Sequence, residues 1–402
     1  MIKNKKITFN SLKLFIFFMY NMAYVLYMTG HIGRIYNLLI LGFFIALCIY
    51  QYLYKKRNGV LIDNKVKFLN EFKAALLIVV AFFLISLAIQ IYHGDIRKYL
   101  LSELLYNIIP PVLALFWINT ANDEKELKPY FYIFFIRAVL LFLMNNSSYL
   151  TLNNVMSISW SNSKSSIFET SLAHDFLFLE IIFLYLKKPK HAIICMLFCL
   201  LSFKRISFIL SFLILVGYYI FGRKKSSQNF LNKAVSKKVR VITFIVMCLM
   251  PLFLNWVISD SGIEYFNNKG IDINSFTTGR VNIVRYVKNN IGYFNGYGSS
   301  DAFLASPYNI RMSTIENMHC DFLKVFYELT FIGVVVFNYC MIYIAKKKRI
   351  VFFMLLYIFM EMISSHFLDA LSVWNIFFMF AAYIYAKDFS LNGEGNIALE
   401  KK

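Results

Sequence analysis

The chain has 402 residues, 59% of them hydrophobic and only 16% charged, with a mean hydropathy of +0.58. That composition excludes a water-soluble globular fold and predicts an all-α polytopic membrane protein, because lipid offers nothing to satisfy the open backbone groups of any other spanning structure. The net charge of +20 does not announce a nucleic-acid surface: the basic residues lie in short clusters beside apolar runs and form no single basic face, so membrane lipid is expected as a partner and nucleic acid is not.

A hydrocarbon core of roughly 30 Å takes about 20 helical residues to cross. Runs of that length recur along the chain and predict twelve spans, at about 11–29, 35–54, 74–92, 99–119, 130–149, 171–186, 190–203, 205–221, 239–258, 321–345, 350–366 and 368–386. Only Lys204 and Arg205 part the seventh from the eighth, and a tilted or re-entrant hairpin is the alternative there. The first run follows Lys3, Lys5 and Lys6 but meets no small-residue cleavage site, so it reads as a retained span and not as a signal peptide.

Basic residues set the orientation, since Lys and Arg collect in cytoplasmic loops. Counted over alternate connections, 29 of the 42 fall on the side that includes both termini and 11 on the other, with Arg137 and Lys324 inside spans. Both termini are therefore expected in the cytoplasm. Residues 259–320, the longest polar stretch of the chain, are expected outside it. The six cysteines show no CxxC spacing, and Cys195 and Cys199 share a helix face, so neither a disulfide framework nor a zinc site is expected. No internal repeat or Pro/Gly linker interrupts the chain, and 1–402 reads as one membrane domain.

Four polar clusters remain on the outer side, in positions a lipid-embedded fold does not keep without cause. Ser165, Ser166 and Glu169 lead into the sixth span, where Glu169 can orient a cation or a sugar hydroxyl, or serve as an exposed cap. Lys204 and Arg205 stand between the seventh and eighth runs, either to bind an anion or to fix topology. The third cluster is Thr277-Thr278-Gly279-Arg280, followed by Arg285 and by Gly296-Tyr297-Gly298. A helix is predicted from about 278 to 289, with Thr277 or Thr278 as its cap, which puts Arg280 in a first turn where backbone amides also attract anions. Arginine forks bind phosphate oxygens at any relevant pH, although a solvated arginine on a loop helix looks the same in sequence. The fourth is His319, where the long stretch re-enters the membrane. It is apt as a base toward a hydroxyl, and equally apt as a capping residue.

The order of these clusters resembles the O-antigen polymerase and ligase family, bacterial enzymes that act on polyprenyl-diphosphate-linked glycans. TTGR with its later Gly-x-Gly is similar to the family's arginine motif, and HCDFLKVFYELTFIG to its His-containing re-entry motif. LSFKRISFIL is similar to its Lys-Arg motif, and SSIFETSLA to a Phe-x-Glu-Pro-Ser stretch, with Thr170 where proline is usual. The spacing of Arg285 and Gly296 also resembles one described for polymerase loops.

The resemblance implies that Arg280 and Arg205, assisted by Arg285, Lys204 and Glu169, hold an undecaprenyl-diphosphate-linked oligosaccharide while His319 activates the acceptor hydroxyl. It implies an inner-membrane location and a chain-length regulator protein as a partner, and it calls for no metal or cofactor. A ligase reaction onto lipid A core sugar, a flippase or transporter, and a membrane scaffold are the competing readings. No symmetry of halves supports a transporter. The absence of acids between Thr29 and Arg34 argues against a dolichol-type glycosyltransferase.

Overall fold

The computed structural model describes residues 9–58, 66–93, 99–147, 171–202, 204–222, 225–277, 279–306, 318–363 and 365–399. All regular structure among them is helical, with no strand. In chain order the helices are α1 (Phe9–Met28), α2 (Arg34–Arg57), α3 (Leu69–His93), α4 (Tyr99–Thr120), α5 (Lys128–Asn146), α6 (Leu172–Tyr185), α7 (Pro189–Leu201) and α8 (Arg205–Gly217). There follow α9 (Lys225–Asn232), α10 (Lys237–Val257), α11 (Asp260–Asn267), α12 (Ile273–Phe276), α13 (Arg280–Ile291), α14 (Ser299–Leu304), α15 (Asp321–Ala345), α16 (Arg349–Met362) and α17 (Leu371–Leu399).

Each of the twelve apolar runs contains a helix. Among the described residues, seven helices are long and apolar enough to cross a membrane: α1 to α5, α10 and α15. Apolar helices α7, α8 and α17 qualify only as shorter segments. Helices α6 and α16, at 14 residues each, reach about 21 Å along their axes. The outward faces of the long helices are apolar, as a membrane protein requires. Helix α10 alone exposes Ile242, Ile245, Leu249, Leu252 and Phe253, all on a segment capped by Ser236, whose Oγ accepts from Val239 N.

The stretch 259–320 carries four short helices, and its described residues are less exposed than a free external loop would be. Tyr297, Ser299, Ser300, Leu304, Met318 and Cys320 are all buried. The cap expected for α13 is not the one used. Thr277 donates its hydroxyl to Ile273 O, the turn behind it, and Gly279 takes the N-cap position with φ +84°, in the left-handed region open to glycine. Thr278 lies outside the described residues.

Two compact units are built from interleaved chain segments. The first comprises 1–68, 112–229 and 372–402; the second comprises 69–111 and 230–371. In unit 1, α1 packs on α2 and α5, and α6 packs on α5, α7 and α8. Its core is aromatic, with Phe17 against Phe44, Tyr130 and Phe134 at centroid distances of 5.1, 4.9 and 5.2 Å. In unit 2, α15 is the central element and packs on α3, α10 and α16.

The tenth predicted span is a broken helix. Thr330 has φ 66° and ψ 179°, which interrupts α15 after Leu329. A break at this point releases the carbonyls of Tyr327 and Glu328 from the i to i−4 ladder. Both find new donors in and just before the Gly-x-Gly segment: Phe294 N donates to Tyr327 O at 2.5 Å and Gly296 N to Glu328 O at 3.1 Å. Beyond the break, Thr330 Oγ1 accepts from Ile332 N at 3.2 Å.

Candidate functional site

The first half of α15 places Asp321, Lys324 and Glu328 three and four residues apart, and so on one helix face. That face points inward, with exposures of 0%, 0% and 1%. Lys324 forms an ion pair with Asp301 of α14, and its Nζ lies 3.3 Å from Glu103 Oε2 of α4. The ring of Tyr297 stands 5.4 Å from the same ammonium. The second oxygen of Asp301 accepts from Met318 N at 2.7 Å. Glu328 closes the N-terminus of α14, accepting from Gly298 N and Ser300 N at 2.8 Å each. Tyr297 is fixed from two further sides: its N donates to Ser86 Oγ at 2.9 Å, and its hydroxyl accepts from Asn107 Nδ2 at 2.9 Å. The Gly-x-Gly segment is thereby clamped between α3, α4 and α15.

Asp321 holds the connection between α16 and α17. Its Oδ2 accepts from Phe367 N and Leu368 N at 2.5 and 2.9 Å, and its Oδ1 lies 3.1 Å from His366 Nδ1. His366 Nε2 lies 2.8 Å from Asp369 Oδ1, an ion-pair contact and not a well-directed hydrogen bond. Helix α16 ends at Met362, four residues before the end expected from sequence, and this is why His366 sits in a linker and can reach α15.

Burial by itself would lower the His366 pKa. The hydrogen bond and charge of Asp321, together with the adjacent Asp369 carboxylate, outweigh it and raise the pKa well above the ordinary 6.5. Burial would raise the Asp369 pKa, and the close contact and charge of His366 bring it below 3.8 instead. The linkage is opposite in sign for the two. His366 stabilises fully below about pH 6.5 and loses that contribution as pH rises through its folded-state value. Asp369 stabilises above about pH 3.8 and loses its contribution as pH falls through its lower folded-state value. The thermal midpoint of the wild-type protein should therefore fall from neutral pH upward with a component that His366→Gln abolishes. Equal pH slopes for the two proteins would refute the clamp.

The sequence-predicted residues distribute unevenly around this frame. Arg280 lies in the first turn of α13, as expected, and is its first residue, half-buried and without a side-chain hydrogen bond or ion pair to any described residue. Val281, Ile283, Val284 and Val287 form the underside of α13 and pack in one cluster with Met318, Cys320, Leu323 and Tyr327. That packing sets the Arg280 charge close enough to act on Cys320, and His319 lies between the buried Met318 and Cys320. Arg280 thus stands near Cys320, the residue that follows His319, in unit 2. Burial pushes the Cys320 thiol up to about 12, with Arg280 pulling weakly the other way, so Cys320 is a neutral thiol and no nucleophile.

Arg285 faces elsewhere, in an ion pair with Asp260, whose side chain is 91% exposed. Lys204 belongs to unit 1, where its Nζ lies 3.1 Å from His174 Nε2. Arg205 opens α8, also in unit 1; its side chain and the whole of Glu169 lie outside the described residues.

Sequence reasoning placed Lys324 and Arg137 inside spans without giving them partners. In unit 1, Arg137 is fully buried and its guanidinium donates to Asp175 Oδ2 at 2.8 Å, to Asn21 Oδ1 at 3.2 Å and to the Ser372 hydroxyl. The Ser372 hydroxyl in turn donates to Asp175 Oδ2 at 2.6 Å, and Tyr24 and Phe134 present ring faces 5.1 and 4.8 Å from the guanidinium carbon. Among the described residues, no group of three or more His, Cys, Asp and Glu side chains is arranged to hold a metal ion.

Comparison with protein-family models and with curated proteins returned no match.

Proposed function

We propose that this membrane protein is a glycosyltransferase of the O-antigen polymerase type, moving a growing glycan from its polyprenyl-diphosphate carrier to a hydroxyl of a new lipid-linked repeat unit. The proposal includes twelve crossings, an inner-membrane location, cytoplasmic termini and a periplasmic stretch 259–320. The observation that supports it most is Arg280: an arginine in a helix first turn, uncommitted to any described carboxylate, beside the His319 neighbourhood. The buried charges Lys324, Asp301, Asp321 and His366 of unit 2 are engaged with one another, whereas Arg280 keeps its fork for a ligand.

In the reaction, the bond from the acceptor oxygen to the anomeric carbon forms while the bond from that carbon to the diphosphate oxygen breaks. His319 takes the hydroxyl proton, and the leaving polyprenyl diphosphate keeps the electron pair. Negative charge grows on the diphosphate in the transition state, so a fixed guanidinium lowers the barrier selectively. Arg205 and Lys204 are proposed as further diphosphate contacts, and a chain-length regulator protein as a partner.

Arg280→Ala should reduce transfer by about 10²-fold or more, and His319→Ala by about 10²–10⁴-fold. Both are read as collapse of the surface-glycan ladder to core plus a single repeat in cells expressing normal amounts of protein. Arg280→Lys should fail to rescue, because an ammonium lacks the two-pronged fork. Loss of all antigen from the core would point to a ligase reaction instead, and an unchanged ladder would sink both assignments.

A further inference from the structure

Unit 1 contains a cavity, largely apolar in its lining but with charged and polar groups set into its wall, that the proposed reaction does not use. It has a volume of about 150 Å³ and is lined by Asn10, Ser11, Lys13, Trp117, Glu126 and Tyr130 among others. An apolar cavity of this size in another protein admits benzene, so the space suits a group of roughly six to ten heavy atoms.

Two buried donors in its wall have capacity to spare. Lys13 is 3% exposed, spends one N–H on Thr120 Oγ1 at 3.1 Å, and makes no ion pair with any described residue. An ammonium carries three such donors. Trp117 is 1% exposed, and its Nε1–H has no acceptor among the described residues. A buried indole N–H ordinarily finds one.

The wall also carries a carboxylate. Glu126 accepts from Asn10 Nδ2 at 2.6 Å and from Asn122 N at 3.0 Å, and its charge is felt at Lys13. An anion alone would meet Glu126, and a cation alone would meet Lys13. A small group bearing both signs satisfies the two together, with Tyr130 as an aromatic wall for its cationic part. A primary ammonium suits Glu126 better than a quaternary one, because it brings N–H donors and lacks three methyl groups that the volume would have to hold.

We propose that this cavity binds a phosphoethanolamine group, its phosphate on Lys13 and the Trp117 N–H and its ammonium toward Glu126. The group can come from a membrane phospholipid or from a soluble phosphoester. Lys55, Lys125 and Lys128 stand near the same connection, which puts the cavity on the side where the chain's basic residues collect and phospholipid headgroups lie.

The test uses full-length purified protein in detergent, with dioleoyl phosphatidylethanolamine, phosphatidylcholine or phosphatidylglycerol added and bound lipid counted by native mass spectrometry. One phosphatidylethanolamine should be retained about ten-fold better than either other lipid. Lys13→Met should reduce retention about ten-fold, and Trp117→Phe, which keeps the ring and removes only the N–H, about three-fold. Circular dichroism confirms that both variants are folded. Competition with O-phosphoethanolamine distinguishes the sources. Displacement of bound lipid identifies the headgroup as the recognised chemistry, and binding of the soluble compound without lipid retention identifies a soluble ligand. Equal retention of the three lipids without binding of O-phosphoethanolamine, or unchanged retention in both folded variants, overturns the proposal.

Discussion

Replacing Lys324 with methionine is expected to destabilise the protein by about 3–5 kcal/mol, the range for removing one partner of a buried ion pair. The reason lies in what remains. Glu103, Asp301 and Glu328 surround a side chain that is 0% exposed, and without the ammonium they are left to repel one another in surroundings that water screens only in part. Neutralising a carboxylate as well should relieve part of this, so Asp301→Asn combined with Lys324→Met should cost less than the two single changes added together. The exposed pair of Arg285 and Asp260 is the natural control. Arg285→Ala should change stability by less than about 1 kcal/mol, because solvent screens that pair. Chemical or thermal unfolding of the purified protein checks each value. A Lys324→Met loss no larger than that of the control would show that Lys324 does not organise unit 2.

Arg137→Met should cost a comparable 3–5 kcal/mol through unit 1, leaving Asp175 buried with Ser372 as its remaining donor. Arg137→Lys should not rescue. An ammonium is a single point of charge and cannot reach Asp175, Asn21 and Ser372 as the fork does. The informative partner is the double change Arg137→Met with Asp175→Leu. Replacing a buried pair by apolar groups of similar volume is often neutral or better, so the double variant should be more stable than Arg137→Met alone. If instead it is less stable than either single change, the pair has a role beyond mutual neutralisation.

The helices were legible because apolar runs of spanning length have few alternatives in lipid, and α13 was placed to within two residues at each end. Its cap was not legible: Thr277 has the right chemistry, but its hydroxyl is drawn to the nearer Ile273 carbonyl. The break in α15 was also invisible, since FYELTFIG reads as uninterrupted helix and the release at Thr330 is stabilised by Phe294 and Gly296, some thirty residues earlier. For the same reason the candidate residues were only partly legible. Arg280 and His319 carry local signals, and the structure sets the Arg280 charge near Cys320, the residue after His319. Lys324 could be recognised as a charge inside a span, but its partners lie in α4 and α14, and no local pattern points from one to another. His366 was concealed by a predicted span drawn four residues too long.

Glu103 and Lys324 are 221 residues apart in the chain. At a synthesis rate of about 5–20 residues per second, roughly 10–40 s pass between the appearance of the carboxylate and of the ammonium that neutralises it. During that interval α5 to α14 are added while the acid in α4 has no Lys324 to pair with, and unit 2 cannot close until α15 emerges. A ribosome stalled before that point leaves an apolar, half-assembled chain with an open charge, which is the form that membrane quality control meets. Assembly of this protein is therefore timed by its C-terminal third, whatever order its helices enter the bilayer.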